Sequence, residues 1–338
     1  MRYISTFSGI EAASVAWIPL GWEPLCFSEI DSFPSAVLAE HFPQVTNLGD
    51  ITQVDWSDYF GSTDVLVGGS PCQSFSVAGS RTGLLGASGL MWEYVRAVRD
   101  VMPRVFVWEN VPGALSSAKG NDFRCLLESM DDLGYGLAWR VLDAQFFGVA
   151  QRRRRVFLVG CLRDTKRAAE ILFEQEGMRW DNPSSRDKRE ELAGSTKERV
   201  GSTFAIAGNI IGRKPESGGH QLGIEADGAC YTLTAADRHV VCMADDNAHA
   251  AIDVDMSGTL KVYGSAPIVA YDYVVRRLMP IECERIQGFP DGWTDVTYKG
   301  KPAPDTRRYK AIGNSMAVPV MRWIGERIET VDKREDER

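Results

Sequence analysis

The sequence predicts an α/β protein, a doubly wound and mostly parallel sheet with a smaller β-rich module inserted late in the chain. Three observations carry this. Short apolar runs at Tyr3–Phe7, Leu25–Glu29, Asp64–Val67 and Val105–Glu109 read as buried strands, with helical patterns or helix caps between them. Each run closes on a glycine turn or an acid, at the position where open α/β sheets hold ligands. From about residue 164 to 275 the composition changes, first to dense charge and then to Gly- and Ala-rich sequence with short β-like pieces.

At 338 residues, 44% apolar and 25% charged, the chain has an ordinary globular composition and room for a large core. No apolar run approaches membrane length. Met1 to Thr6 enters a strand pattern at once, so no signal peptide is expected and a cytoplasmic location is. Seven scattered cysteines without a Cys-x-x-Cys, and four histidines without a close pair, predict neither a disulfide framework nor a metal site. The net charge of −8 is unlike that of a general nucleic-acid binder. Basic residues nevertheless concentrate at 152–155, 276–277 and 307–310, and in screened solvent a partner feels the local field more than the total.

In chain order, Tyr3–Phe7 is followed by Ser8-Gly9-Ile10-Glu11 and a helix through about Trp17, a strand–glycine turn–helix unit that suits a nucleotide-like cofactor. Glu29 closes the second strand 20 residues after Gly9, where a carboxylate can accept from ribose hydroxyls; the same acid could also belong to the cap region of the next helix. Gly49-Asp50-Ile51 reads as a turn. The run to Val67 ends in Gly68-Gly69-Ser70-Pro71-Cys72-Gln73. Taken alone, a single cysteine there is as consistent with a small buried hydrophobe as with a nucleophile. Gly79 to Gly89 is a Gly/Ser-rich loop carrying Arg81, and an amphipathic helix starts at Met91. Val105–Glu109 is the next central strand, residues 121–133 a core-facing helix, and Tyr135–Ala144 and Val156–Cys161 two further strands. Gln151 precedes four arginines, and strand alternation would turn Arg153 and Arg155 to one face and Arg152 and Arg154 to the other. Pro280 opens a helix that Gly288 closes.

The Pro71-Cys72-Gln73 loop, Glu109-Asn110-Val111 and the Gln151-x-Arg153-x-Arg155 unit occur in the order of motifs that defines a family. The chain resembles the DNA (cytosine-5) methyltransferases over residues 3 to about 165 and again from about 276 to 325. The resemblance implies a Rossmann-like, S-adenosylmethionine-dependent methyltransferase fold. The catalytic domain would occupy residues 1–165 and be completed by 276–338, with a target recognition domain at 166–275.

By this resemblance Cys72, Glu109, Arg153 and Arg155 are the catalytic residues. Phe7, Ser8, Gly9, Ile10, Glu29, Ile30, Asp50 and Ile51 would hold S-adenosyl-L-methionine and its product S-adenosyl-L-homocysteine. Pro71, Met91, Asn314 and Ser315 would join them, the last two at the amino end of a helix running to about Thr330. Gln73, Ser76, Arg81, Gln151, Thr232, Leu233 and Arg238 would face double-stranded DNA; Arg213, Lys214, Arg238 and His239 could read bases by side-chain chemistry only, and phosphate or surface residues are the favoured reading of these four. The sequence departs from the family at the cofactor loop. Where the family has Phe-x-Gly-x-Gly-Gly, this chain has Phe7-Ser8-Gly9-Ile10-Glu11-Ala12, and Ser5 replaces an upstream acid.

The activity so implied is base flipping followed by covalent catalysis, in a monomer without metal, associated with DNA in a bacterial or phage-infected cell and fitting a restriction-modification system. Three alternatives stand beside it. They are a tRNA cytosine-5 methyltransferase, a DNA-binding protein that has lost catalysis, and a dinucleotide-dependent oxidoreductase on the same sheet.

Overall fold

The computed structural model describes residues 1–71, 89–173, 205–206, 224–225, 242–243, 268–271 and 274–336. The described contacts divide the chain into two units: residues 1–143, 154–178 and 316–338 form one, and 144–153 with 179–315 form the other.

The first unit is built on a seven-stranded sheet of order β3-β2-β1-β4-β5-β7-β6. Its strands are β1 (Arg2–Thr6), β2 (Glu23–Ser28), β3 (Thr46–Asn47), β4 (Val65–Gly68), β5 (Val105–Asn110), β6 (Tyr135–Asp143) and β7 (Arg154–Leu162). β3 to β5 pair in parallel, whereas β7 runs antiparallel to both β5 and β6. The β-branched and aromatic runs form the central strands because helices cover both faces, so β4 and β5 are buried along their whole length. This is the α/β architecture expected from the sequence. Every strand anticipated in this unit is present, with ends shifted by one or two residues.

Helices α1 (Ala12–Trp17), α2 (Ser32–His41), α3 (Gly89–Val101), α4 (Asn121–Asp132) and α5 (Thr165–Leu172) flank the sheet. The apolar stripe of α3 buries Met91, Tyr94, Val98 and Val101, and the Tyr94 hydroxyl donates to the Val107 carbonyl of β5 at 3.0 Å. The second unit contains α6 (Pro280–Gln287) and α7 (Asp305–Asn314); Gly288 at φ +83 closes α6. Strands β8 (Cys242–Met243), β9 (Ile268–Tyr271) and β10 (Val274–Arg277) pair antiparallel in that unit. The final helix α8 (Val318–Asp336) belongs to the first unit and packs on α1, where the Trp17 indole donates to the Met321 carbonyl at 2.7 Å.

Asn314 is the last residue of α7 and Ser315 its C-cap, donating its N–H to Ala311 and Ile312 carbonyls, rather than opening the following helix. Pro319 explains the offset: it sits in the first turn of α8, where a missing N–H does no harm, and fixes the start at Val318. No helix among the described residues is long and apolar enough to cross a membrane. Among those residues there is also no group of three or more His, Cys, Asp or Glu that could hold a metal ion.

Candidate active site

The strand register lines up the site. Ser28, Thr6, Gly68 and Trp108 are neighbours across β2, β1, β4 and β5, so one row of backbone crosses the sheet at the carboxyl ends. The predicted residues Phe7 to Ile10, Glu29, Ile30, Pro71 and Glu109 follow that row by one to four positions. Three steps of about 4.8 Å put β2 and β5 roughly 14 Å apart. β1 is where the chain winds off in both directions, the switch point at which such sheets bind ligands.

On the β1–β2 side, the loop after β1 turns back through Phe7 at φ +51 and Gly9 at φ +56. Ser8 locks the turn: its hydroxyl donates to the Ser5 carbonyl at 2.9 Å and accepts from Ser28 N–H at 3.2 Å. The Glu29 carboxylate accepts N–H groups from Gly9 at 2.8 Å and Asp31 at 2.6 Å. Burial raises the Glu29 carboxyl above its ordinary pKa; those two N–H groups offset this, and the Asp31 charge adds to the rise. Asn47 was not among the sequence-selected residues. Its side chain nevertheless carries this loop, accepting from Glu29 N–H at 3.0 Å and Gly49 N–H at 3.1 Å while donating to the Glu29 carbonyl at 3.1 Å. Asp50 caps the short turn that follows, and Ile51 is buried. Ile30 is 71% exposed beside Glu29, and a Cβ built on Gly9 would meet nothing within 4 Å. Open space, an exposed apolar side chain and carboxylates suit a nucleoside. Ile10 is buried, and Met91 lies with Ile51 and Trp108 in one buried cluster.

On the β4–β5 side, Gly68 is required because a Cβ there would stand 2.1 Å from Thr6 Oγ1. Ser70 pins the next turn: Trp108 donates its indole N–H to Ser70 Oγ at 3.2 Å and the Asn110 amide donates to the Ser70 carbonyl at 2.8 Å. None of Ser70, Trp108 and Asn110 was selected from sequence, though the Glu-Asn-Val motif contained a signal for the last. They fix the backbone that leads through the exposed Pro71 to Cys72. Glu109 is 8% exposed, and Arg155 Nε lies 3.1 Å from its Oε1. The register explains the pair, since Glu109 faces Phe157 and Arg155 shares the Phe157 side of β7.

A Cβ on Gly69 would lie 3.0 Å from Glu109 Oε2 and 3.2 Å from the Glu109 carbonyl. Gly69→Ala is therefore expected to displace the Glu109 carboxyl and lower kcat about tenfold or more, with the thermal midpoint changed by only a few degrees. Steady-state kinetics alongside thermal unfolding checks this.

The arginine run alternates as its strand pattern suggests: Arg152 and Arg154 are exposed, Arg153 is 2% exposed and Arg155 half-buried. Arg153 goes elsewhere than Arg155. In the second unit its guanidinium donates to the Gly313 carbonyl at 3.1 Å and the Ser315 carbonyl at 2.6 Å, holding the Asn314 turn. Gln151 is fully buried, Ser315 is 6% exposed and Asn314 is exposed. Cys72, Gln73, Ser76, Arg81, Arg213, Lys214, Thr232, Leu233, Arg238 and His239 lie outside the described residues.

Glu11 was passed over from sequence. It stands at φ +66 with its side chain fully buried, and one carboxylate oxygen accepts from Ser14 N–H at 3.1 Å. Burial pushes its carboxyl up to about 7, against the lowering by Ser5 and Ser14, and the Glu29 charge adds to the rise. A raised folded-state pKa gives stability that is complete below the unfolded value near 4.5 and is lost as the pH climbs through about 7. Wild type is expected to lose on the order of 3 kcal/mol relative to Glu11→Gln between pH 4.5 and 8. Denaturant unfolding of both proteins across that range measures it, and a constant difference would contradict it.

The description C-5 cytosine-specific DNA methylase matches residues 1–330. The chain belongs to that family, whose class is the DNA cytosine-5 methyltransferases. Among its relatives, a protein of Escherichia phage P1 named DNA N-6-adenine-methyltransferase is 36% identical over 99% of this chain, which spans 62% of that protein. Orphan methyltransferase M.SPRI of Bacillus phage SPR is 27% identical, with 100% of this chain and 99% of that one covered. Further relatives are named Type II methyltransferases, a restriction-modification setting. The crystal structure of S. pombe Dnmt2 methyltransferase shares the fold, with TM-score 0.65, 15% identity, and 98% and 99% of the two chains covered.

Proposed function

We propose that this chain transfers a methyl group from S-adenosylmethionine to C5 of cytosine within specific duplex DNA sequences. The observation that carries the reading is the Glu109–Arg155 pair next to the pinned Gly69–Pro71 turn. This reading is supported by an acid and a guanidinium lying beside the Gly69–Pro71 backbone, which Cys72 follows in the sequence. Bound at the β1–β2 side, the cofactor supplies an electrophilic methyl sulfonium; Glu29 and Asp50 are the carboxylates available to its ribose and adenine.

Cytosine C5 is a weak nucleophile. Attack of the Cys72 thiolate on C6 forms a carbon–sulfur bond and gives C5 enamine character, so that C5 can take the methyl. One Glu109 oxygen accepts from the exocyclic amine while the other passes a proton to N3, and Arg155 contacts O2. After transfer, C5 loses its proton to water, the carbon–sulfur bond breaks to release the thiolate, and N3 returns its proton to Glu109. Guanidinium charge nearby favours the thiolate form. The pocket is out of reach of a stacked base, so the cytosine is flipped out of the duplex, at a cost of about a few kcal/mol. Arg153 supports the Gly313–Ser315 turn and contacts no ring atom. Residues 166–275 are proposed as the recognition domain, and the protein as a cytoplasmic, DNA-associated monomer.

The name of the phage P1 relative favours a second reading, methylation of adenine N6. An exocyclic amine attacks a sulfonium directly and needs no covalent adduct, so that chemistry leaves the Pro71-Cys72 loop and its Glu109–Arg155 neighbours without a task. Nucleoside mass spectrometry of duplex DNA and of tRNA treated with the protein separates the readings. The proposal expects 5-methylcytosine in duplex DNA; N6-methyladenine, or 5-methylcytosine confined to tRNA, would overturn it. Bisulfite sequencing of the same DNA then gives the target sequence.

A further inference from the structure

Glu11 bears two costs at one position of the loop read above as the cofactor seat. A non-glycine side chain holds φ +66, and its carboxyl is 0% exposed with Oε2 lacking a hydrogen-bond partner. Costs of this kind persist where a local geometry matters to function. The carboxyl holds the start of α1, where Oε1 accepts the Ser14 N–H at 3.1 Å. The same loop sends the Gly9 N–H to Glu29, and Glu11 N–H closes it on the Ser8 carbonyl at 2.9 Å. Tyr3 extends the cluster, its hydroxyl 2.6 Å from that of Ser14.

We propose that Glu11 is a positioning residue for cofactor binding: from inside the loop, its carboxyl ties the Phe7–Ala12 turn to the Ser14 N–H and so aims Gly9 at Glu29. The inference rests on reading this loop as the S-adenosylmethionine seat.

The test measures KM for S-adenosylmethionine, kcat and thermal midpoint for wild type, Glu11→Gly and Glu11→Gln. Glu11→Gly is expected to raise the KM about three- to tenfold with kcat at saturation nearly unchanged, the scale of a lost positioning hydrogen bond. Glu11→Gln keeps an acceptor for the Ser14 N–H and should stay closer to wild type. A KM unmoved by Glu11→Gly, whatever happens to the thermal midpoint, would overturn the positioning role. Wild-type protein that fails to bind S-adenosylmethionine would instead refute the cofactor reading itself.

Discussion

Replacing Cys72 by alanine is expected to cut methyl transfer by at least about 10⁴-fold, the scale on which removal of an enzyme nucleophile acts. Binding of duplex DNA and of S-adenosylmethionine should remain within a fewfold of wild type. The separation follows from the layout of the strand ends. The proposed cofactor side draws on Gly9, Glu29 and Asp50 after β1, β2 and β3, whereas Cys72 follows β4 in the sequence. Truncating one thiol leaves the Ser70 anchors from Trp108 and Asn110 in place. Binding assays beside methyl-incorporation kinetics check both halves; undiminished transfer would refute the nucleophile assignment.

Glu109→Gln should lower kcat by about 10²–10⁴-fold, the contribution of a placed acid–base group, with a smaller effect on the KM for DNA. Glutamine fills the same volume under Gly69, so the turn has no steric reason to move. It cannot pass a proton to N3, and it removes the charge that faces Arg155 Nε at 3.1 Å. Single-turnover methylation by the variant measures the chemical step. A rate within threefold of wild type would contradict the role given to Glu109.

Much of the first unit was legible in the sequence because its strands are buried on both faces and therefore read as unbroken apolar runs. Strand alternation separated Arg153 and Arg155 from Arg152 and Arg154, but the pairing of Arg155 with Glu109 needed the register of β7 against β5. Arg153 shows where that reasoning stops. Alternation gave its burial, but its partners are carbonyls some 160 residues away, and backbone acceptors leave no trace in residue identity. The Asn314–Ser315 turn was displaced from the start of a helix to the end of one because Pro319 decides where α8 begins. Asn47 and Asn110 support the site through hydrogen bonds to main chain, and Trp108 through one to the Ser70 hydroxyl, tasks open to many polar groups in a turn. Glu11 had a visible signal, an acid where the family has glycine; only the backbone at φ +66 gave it meaning.

The most direct test of covalent catalysis by Cys72 uses duplex DNA amplified with 5-fluoro-dCTP, so that every candidate target is fluorinated whatever the recognition sequence. Fluorine at C5 cannot leave as a proton does, and the adduct persists once the methyl has been added. With S-adenosylmethionine present, the account predicts a protein–DNA complex that survives denaturing electrophoresis and whose peptide map places the DNA on Cys72. No trapped complex from protein that methylates ordinary duplex DNA, or a complex attached to another cysteine, would contradict it.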